Sequence, residues 1–334
     1  MPAARSLLER RVQLRPVEYP ELLPYRDAIR HAYWLHTEFN LEGDVQDFHA
    51  RVSAPERTAI TRTMLAIAQV EVAVKTFWGD LMKRYPKPEV GAVGYTFAES
   101  EVRHQDAYAH LLRLLGLEDA FAGLDRVPAM RTRLAFLENA LATRPTGDEE
   151  RDGRAFARTL LTFSAFVEHV SLFGQFLIMK AFQRERNLFK GVANVVDATS
   201  AEEQIHGLFG YQLIRLLREE RPHWFDATFE AEVRQACRQG FDAERAILAW
   251  IFAEGELAFL PVSTIEAFLQ HRFDAALEAV GSAPMWNPDP EAVGACLWFE
   301  EELHAAKHVD FFHKRPTAYA RKAKAITGDD LFAG

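Results

Sequence analysis

One pattern occurs twice in this 334-residue chain and constrains its fold more than any other feature: an apolar segment with one embedded acid, followed by a Glu-x-x-His pair. The residues of the two copies are Glu71, Glu101, His104, Glu168, Glu203 and His206. Residues three positions apart share one face of a helix, so the acid and the imidazole of each pair point the same way. Four helices that turn such side chains inward can form a two-metal carboxylate site. The pattern therefore predicts an all-α fold built on a four-helix bundle.

Two further Glu-x-x-His matches do not fit this pattern. Glu220 and His223 flank a proline, which the interior of a helix does not tolerate. Glu301 and His304 lie in the acid-rich run WFEEELHAAKH, without a single acid paired to them. A lone pair of this kind is more often a solvated pair on a helix surface than a metal site. Two such pairs, each preceded by an acid in apolar sequence, indicate a metal site rather than surface pairs.

The single acids lie on largely apolar helix faces. One turn to either side of Glu71, the chain has Ile67, Ala68, Val74 and Lys75. An acid on such a face rarely stays buried without a partner, although a solvent-facing position between two apolar stripes is the alternative. Mixed carboxylate and imidazole ligation suits iron or manganese better than zinc, and the carboxylates offset the metal charge.

Composition excludes several classes of protein. The formal net charge of −9 argues against direct binding to nucleic acid, whose phosphates require a basic surface. The N-terminal stretch lacks the apolar core of a signal peptide, and we expect no membrane span because no uncharged apolar run of about 18 residues occurs. The cysteines Cys237 and Cys296 form neither a disulfide framework nor a Cys-x-x-Cys motif, which indicates a reducing cytoplasm.

The pattern of helices predicts one helical domain with two flanking segments. We expect an N-terminal arm at 1–20, a helical domain with the metal site at 21–313 and a flexible C-terminal tail at 314–334. Ser53 and Glu56 form a capping-box pattern at the start of a helix. The run HTEFNLEGDVQDF, residues 36–48, predicts a loop. The expected helices cover residues 24–34, 54–84, 88–115, 130–143, 153–184, 190–219, 229–252, 262–278 and 291–308.

Other residues near these motifs have more than one interpretation. Tyr108 shares the helix face of Glu101 and His104, where an ordinary core tyrosine and a one-electron redox group beside the metals are equally compatible with its position. We interpret four histidines as structural: His36, His49, His110 and His169.

These residues together resemble a known family, the small, radical-generating beta subunits of class I ribonucleotide reductases. The resemblance covers nearly the whole chain. It rests on Glu71, SEVRH with Tyr108, FVEHVSLFGQF around Glu168, AEEQIH, and the ending NPDP…DFFHKRPTAYAR. That ending separates the chain from ferritins and desaturases, which share only the metal motif. The resemblance implies a ferritin-like four-helix bundle core extended by additional helices.

The resemblance also implies what the six residues of the repeated pattern do: they would bind two metal ions. The oxidised cofactor would draw an electron over a long relay from a cysteine in a separate alpha subunit, where the thiyl radical starts reduction of ribonucleotides to deoxyribonucleotides. Trp34 is similar to the tryptophan of that relay, Glu202 to an acid beside His104, and Tyr319 to an interfacial tyrosine. The terminal DDLF is similar to the tail that docks in the alpha subunit. Beta subunits of this family are homodimers.

The chain departs from the family pattern at three positions. Most members with an iron-tyrosyl radical have Asp at the positions of Glu71 and Glu202. Lys75 lies one turn after Glu71, where it either extends to the helix edge or pairs with that acid and attracts an anion. HTEFN, Glu71 and Lys75 together resemble a subclass with a dimanganese cluster, in which the oxidised metals store the electron hole and superoxide activates them. We therefore favour two manganese ions over two iron ions, with Tyr108 present but not the radical carrier.

Two other functions use the same kind of site. One is a stand-alone ferritin-like oxidase or oxygenase that acts on a hydrophobic substrate, and the other is a metal-storage bundle. Storage requires a shorter chain with a cage-forming surface, so we rank it last. An oxidase has no need of Trp34, Tyr319 or the terminal DDLF, which favours the reductase subunit.

Overall fold

The regular elements of the structure are helices. The computed structural model describes residues 5–141 and 146–310, apart from the side chains of residues 72, 73, 140 and 304–310. Within the described ranges there is no β-sheet, and one isolated bridge is the only extended pairing. The all-α prediction is confirmed.

Most predicted helices are present, with shifts of a few residues at their ends. The α-helices of the described ranges are α1 (Leu23–His31), α2 (Glu42–Gln46), α3 (Ala54–Ala73), α4 (Lys75–Arg84), α5 (Pro88–Leu114), α6 (Glu118–Ala122), α7 (Pro128–Leu141), α8 (Glu149–Leu161), α9 (Phe173–Arg186), α10 (Lys190–Glu220), α11 (Ala227–Ile251), α12 (Val262–Ala279), α13 (Pro290–Gly294) and α14 (Leu297–Asp310). The predicted helix 54–84 is divided at Val74, where the amide of Phe77 bonds three residues back to the Val74 carbonyl at 3.1 Å. The predicted helix 291–308 is likewise two helices, α13 and α14.

Four helical stretches pack against one another to form the central bundle: α3, α5, α10 and the run from α8 to α9. The capping box that begins α3 is confirmed. Glu56 Oε2 accepts from the Ser53 amide at 2.8 Å, and Ser53 Oγ accepts from the Glu56 amide at 3.5 Å. The apolar side chains of these stretches form one continuous core, which encloses the site described below.

A π-helical segment, Thr162–Ser171, joins α8 to α9. A π-helix bonds each amide five residues back instead of four, so it inserts an extra residue into the turn, and it is frequent at functional sites. The sequence predicts a buried helix here, and burial is confirmed, since nine of the ten residues of the segment are buried. The change of helix type was not predicted, because a uniformly apolar stretch carries no periodicity that marks it.

The same helical run, Glu149–Arg186, is long and apolar enough to cross a membrane by length and composition alone. Its most apolar stretch is 94% buried inside the protein. A core helix of a bundle passes the same test, because every side of it packs against other helices.

Residues 5–19 form no α-helix and lie against one end of the bundle. Leu7 and Tyr19 are fully buried there. The Leu7 amide and the Tyr19 hydroxyl donate to the two carboxylate oxygens of Glu220 at 2.8 and 2.7 Å. Arg11, which is 6% exposed, pairs with Glu89 at the start of α5. The described part of the predicted N-terminal arm is therefore packed on the helical body.

The predicted loop at 36–48 contains short helices instead. A 3₁₀ turn at 36–38 leads into α2 and a π turn at 47–51. Asp44 accepts from the amides of Gly191 and Val192 at 3.2 and 2.9 Å, and Asp47 accepts from the Phe189 amide at 2.9 Å. The two carboxylates thereby cap the N-terminal end of α10, whose first amides have no partner within the helix.

Candidate metal centre

Six acidic and imidazole side chains meet in the middle of the bundle, and each is at most 2% exposed. α3 contributes Glu71, α5 contributes Glu101 and His104, the π segment contributes Glu168, and α10 contributes Glu203 and His206. They form two overlapping groups of four, which share Glu101 and Glu203. Within each group, one ligand atom from every residue lies within 4.8 Å of the others. The structure thus brings together all six residues of the repeated sequence pattern.

The two shared glutamates each face both histidines. Glu101 places Oε1 at 3.0 Å from His206 Nδ1 and Oε2 at 3.3 Å from His104 Nδ1. Glu203 places Oε1 at 3.0 Å from His104 Nδ1 and Oε2 at 3.3 Å from His206 Nδ1. Each carboxylate therefore faces both histidines and would contribute to holding both ions of a metal pair. The remaining acids belong to one side each: Glu71 lies 3.7 Å from His104 Nδ1, and Glu168 lies 3.4 Å from His206 Nδ1.

The donor atoms of this cluster fit a pair of divalent ions. Eight of them are buried without a hydrogen-bond partner: both carboxylate oxygens of Glu71, Glu101 and Glu203, and Nδ1 of His104 and His206. Buried polar groups are almost always paired, because an unpaired one loses its hydration without compensation. Oxygen-rich ligation with one imidazole per side is a donor set that iron and manganese both accept.

The outer nitrogen of each histidine is held by another buried side chain. His104 Nε2 lies 2.8 Å from Glu202 Oε2, and His206 Nε2 lies 3.0 Å from Ser100 Oγ. Such contacts fix the orientation of the ring and keep Nδ1 directed at the cluster. Ser100 was not among the residues singled out from the sequence, although it directly precedes Glu101.

Burial dominates the acid–base behaviour of the cluster. It raises the pKa of the Glu71 and Glu168 carboxyls well above the ordinary range. Burial also opposes ionisation of Glu203, but its close contacts with Glu168, His104 and His206 outweigh burial and lower the pKa of Glu203. Burial favours neutral imidazoles, yet the surrounding carboxylates raise the pKa of both histidines well above the usual value. Without metal the cluster holds protons, which divalent ions must displace.

Trp78 contacts the cluster from α4 and was missed in the sequence. Its indole Nε1 donates to Glu168 Oε1 at 2.9 Å, which leaves Oε2 of that acid to face His206. A sequence signal was available, because Trp78 lies seven residues after Glu71, on the same face of the predicted helix 54–84.

Glu202 and Trp34 lie on the side of the cluster that His104 occupies. Arg103 Nη2 donates to Glu202 Oε1 at 3.1 Å, and Arg103 Nη1 donates to the Trp34 carbonyl at 3.3 Å. The rings of Trp34 and His104 are stacked, with centroids 5.8 Å apart and planes 14° from parallel. Trp34 is 6% exposed, so the ring that stacks on His104 is itself nearly buried.

Tyr108 and Lys75 lie near the same half of the cluster. Tyr108 is fully buried, which raises the pKa of its hydroxyl, and it donates to Thr199 Oγ1 at 3.3 Å. Lys75 is partly buried, and its Nζ donates to Gln105 Oε1 and, at 3.3 Å, to the backbone carbonyl of Glu71.

The other motif residues lie apart from the cluster or outside the described residues. Glu220 binds the N-terminal arm and His223 lies 2.9 Å from Glu150. Tyr319, the terminal DDLF and the His304 side chain fall outside the described residues. The histidines interpreted as structural have other surroundings: His36 and His110 contact each other, His49 is exposed and His169 bonds to Tyr211.

The fold and these side chains define a class: helical-bundle proteins whose core is a carboxylate and histidine cluster suited to two metal ions. A family model described as ribonucleotide reductase, small chain, matches residues 11–292. The chain belongs to this family. Its function is that of the beta subunit of a ribonucleoside-diphosphate reductase, whose dimetal-carboxylate cofactor generates the oxidant for ribonucleotide reduction in the alpha subunit.

Individual relatives agree with this family. A probable ribonucleoside-diphosphate reductase small subunit of Invertebrate iridescent virus 3 is 27% identical over 339 residues, which cover 97% of this chain and 88% of the relative. Dimanganese(II)-NrdF of Streptococcus sanguinis has a similar structure, with a TM-score of 0.66, 14% identity and coverage of 85% of this chain and 96% of that one. A homodimeric ribonucleotide reductase protein of Saccharomyces cerevisiae has a TM-score of 0.67 at 16% identity, covering 85% and 87%. The two structures show the ferritin-like helical fold.

Proposed function

We propose that this beta subunit binds two manganese ions through the six clustered side chains and draws an electron from the alpha subunit through Trp34. The observation that carries the proposal is the position of Glu101 and Glu203, each with one oxygen directed at each histidine. When bound, the metal pair supplies one-electron redox chemistry that no side chain of the cluster has alone. Glu71 would complete the His104 side and Glu168 the His206 side.

The residues around the cluster would set its orientation and its connection to the surface. Glu202 and Ser100 hold the histidine rings by their outer nitrogens. Trp34 stacks on the His104 ring, and the carbonyl of Trp34 and the carboxylate of Glu202 share the Arg103 guanidinium. From Trp34, an electron would therefore reach the cluster through the stacked ring of His104. Tyr319 would pass that electron across the subunit interface.

Manganese is favoured over iron by the residues around Glu71. A carboxylate with both oxygens free of hydrogen bonds can change its binding mode, and Lys75 donates to the carbonyl of the same residue. The structural likeness to dimanganese(II)-NrdF is compatible with this choice. Metal analysis of protein purified from its own cells, with electron paramagnetic resonance of the activated state, tests it. A coupled manganese signal supports the proposal, whereas a tyrosyl signal over iron contradicts it.

The oligomeric state, the partner subunit and the cellular location are proposals as well. We infer a homodimer that works with the alpha subunit in the cytoplasm, with the terminal DDLF as the docking peptide. The likeness to a homodimeric yeast protein and two free, buried cysteines support this setting. The net charge of −9 agrees with the absence of a nucleic-acid partner.

Replacement of Tyr108 with phenylalanine is expected to leave turnover with the alpha subunit within about twofold of the wild type. The substitution keeps the buried ring and removes one long hydrogen bond, of a kind that contributes about 1 kcal/mol. Turnover assays of Tyr108→Phe beside Trp34→Phe provide the comparison, since Trp34→Phe is expected to lose activity. Complete loss of turnover in Tyr108→Phe identifies the tyrosine as the radical carrier and contradicts the proposal.

Replacement of Lys75 with alanine is expected to slow activation of the metal-loaded protein about tenfold or more while two ions per chain remain bound. Its ammonium lies 3.3 Å from the backbone carbonyl of Glu71, and an anionic oxidant such as superoxide is attracted to a positive charge at this position. Stopped-flow spectra of activation and metal stoichiometry separate the two effects. The control is Lys83→Ala, an exposed lysine of the same helix. Activation at the wild-type rate in Lys75→Ala rules out this role.

A further inference from the structure

Two buried arginines from outside the central bundle reach the π segment that carries Glu168. Arg133 lies in α7 and is 1% exposed, and Arg272 lies in α12 and is 5% exposed. We propose that both are positioning residues, which hold the backbone of the π segment so that Glu168 faces the metal cluster. This inference rests on the metal site proposed above.

Arg133 connects the end of the π segment to three other stretches of chain. Its Nη2 donates to the Ser171 carbonyl at 2.6 Å and to Gln175 Oε1 at 2.8 Å, and its Nη1 donates to the Ala66 carbonyl at 3.0 Å. Glu244 accepts from Nε and Nη2 at 3.1 and 3.2 Å and balances the charge. All three guanidinium nitrogens thus donate hydrogen bonds, and two of them, Nη1 and Nη2, donate to backbone carbonyls.

Arg272 holds a second carbonyl in the same segment. Its Nε donates to the His169 carbonyl at 2.8 Å, one residue after Glu168. The guanidinium carbon lies 3.6 Å from the centroid of the Phe173 ring, and Nη1 pairs with Glu300 at 3.3 Å. Nη2 reaches Gln204 Oε1 on α10 at 3.4 Å. Arg272 therefore links the π segment to α10 and α14 as well as to its own helix.

The π segment needs such donors from outside. A switch between α- and π-helical bonding leaves carbonyls without their regular amide partner. Three carbonyls close to Glu168 accept side-chain donors: Phe166 from Ser171 Oγ at 3.1 Å, His169 from Arg272 and Ser171 from Arg133. If the segment relaxed to α-helical bonding, the extra residue would turn the side chains before it by about 100° relative to those after it. The direction of Glu168 therefore depends on these bonds.

The effect is expected in one half of the site only. Glu71, the corresponding acid of the other half, lies in the last turn of α3, and its carbonyl accepts from Lys75 Nζ at 3.3 Å and from neither arginine. Loss of the Arg133 bond to Ala66 leaves that helix intact. If an arginine served general stability alone, its replacement would weaken metal binding in both halves alike or in neither.

The test is titration of the metal-free chain with Mn²⁺. The concentration of free Mn²⁺ is measured at each step by electron paramagnetic resonance. The wild type is expected to bind two ions. In Arg133→Lys and in Arg272→Lys one ion is expected to bind within about twofold of the wild type, and the other about 10- to 100-fold more weakly, as when partners of metal ligands are removed. Lysine keeps the positive charge but has a single nitrogen, which cannot replace the fork of donors.

A double-mutant cycle assigns the weakened half. In the Glu168→Ala background, Arg272→Lys is expected to add no further loss, because the side chain through which it acts is absent. Arg11→Lys is the matched control. Arg11 is a buried arginine that pairs with Glu89 at the end of the bundle, and the variant is expected to bind both Mn²⁺ ions with wild-type affinity.

The outcomes separate this inference from the proposed metal site. If the wild type binds no Mn²⁺, the metal site itself is wrong. If the wild type binds two ions and both lysine variants also bind two with unchanged affinities, or if Arg272→Lys costs as much without Glu168 as with it, the positioning role is overturned. If one variant does not fold, the other decides on the same measurement.

Discussion

Alanine in place of Glu203 is expected to abolish binding of both metal ions and, with it, turnover by the reductase. Glu203 directs one oxygen to each histidine, so a single substitution removes a donor atom from both halves of the proposed site. The affinity for Mn²⁺ is expected to fall by more than about 100-fold, the upper effect of removing a residue that only supports a ligand. Thermal unfolding with and without Mn²⁺ measures this directly. Ions present at 100 times their dissociation constant stabilise a protein by about 2.7 kcal/mol, and the variant is expected to lose that increase.

Glu219→Ala is the control for this substitution. Glu219 is an exposed acid at the end of the same helix and is expected to keep the metal response of the wild type. If Glu203→Ala still binds two ions with wild-type affinity, Glu203 does not hold the metal pair, and the proposed ligand set is wrong.

Removal of residues 320–334 is expected to abolish turnover with the alpha subunit while the metal centre stays complete. The deleted segment contains DDLF, which combines apolar side chains for a pocket with a charge that favours a basic rim. Metal content, the spectrum of the activated state and the thermal midpoint are all expected to match those of the full chain. A synthetic peptide of residues 320–334 is expected to inhibit the full-length enzyme by competition.

The smaller deletion of Ala333 and Gly334, which spares DDLF, serves as the comparison and is expected to retain more activity. The long truncation also separates a reductase subunit from a self-contained oxidase. Full turnover on ribonucleotides without residues 320–334 contradicts the docking role, and inhibition by a scrambled peptide shows that the competition is not specific.

The cluster could be predicted because its signal is local. A spacing of three residues on a helix fixes the relative direction of Glu101 and His104, and likewise of Glu203 and His206, whatever the rest of the chain does. Glu71 and Glu168 stood out because an acid in apolar sequence is costly unless something compensates it. The cap at Ser53 is local in the same way, and it is confirmed.

What the sequence did not reveal depends on long-range contacts. Arg133 and Glu244 are 111 positions apart, and each resembles a surface residue until the fold buries the pair. The π segment accepts bonds from side chains far away in the sequence, such as Arg272, which is 103 positions from His169. The short helices in the predicted loop at 36–48 carry no periodic signal, because their order comes from bonds between Asp44 and Asp47 and a helix about 145 residues later.

Those two aspartates have a mechanical consequence. The residues that follow Trp34 are anchored through Asp44 and Asp47 to the first turn of α10, which also carries Glu203 and His206. The segment after the proposed electron carrier and two of the six proposed metal ligands are therefore fixed to the same helix. Fluctuations of the surrounding surface, which in ordinary loops occur in nanoseconds to microseconds, would shift both ends together and leave the gap between donor and acceptor nearly constant.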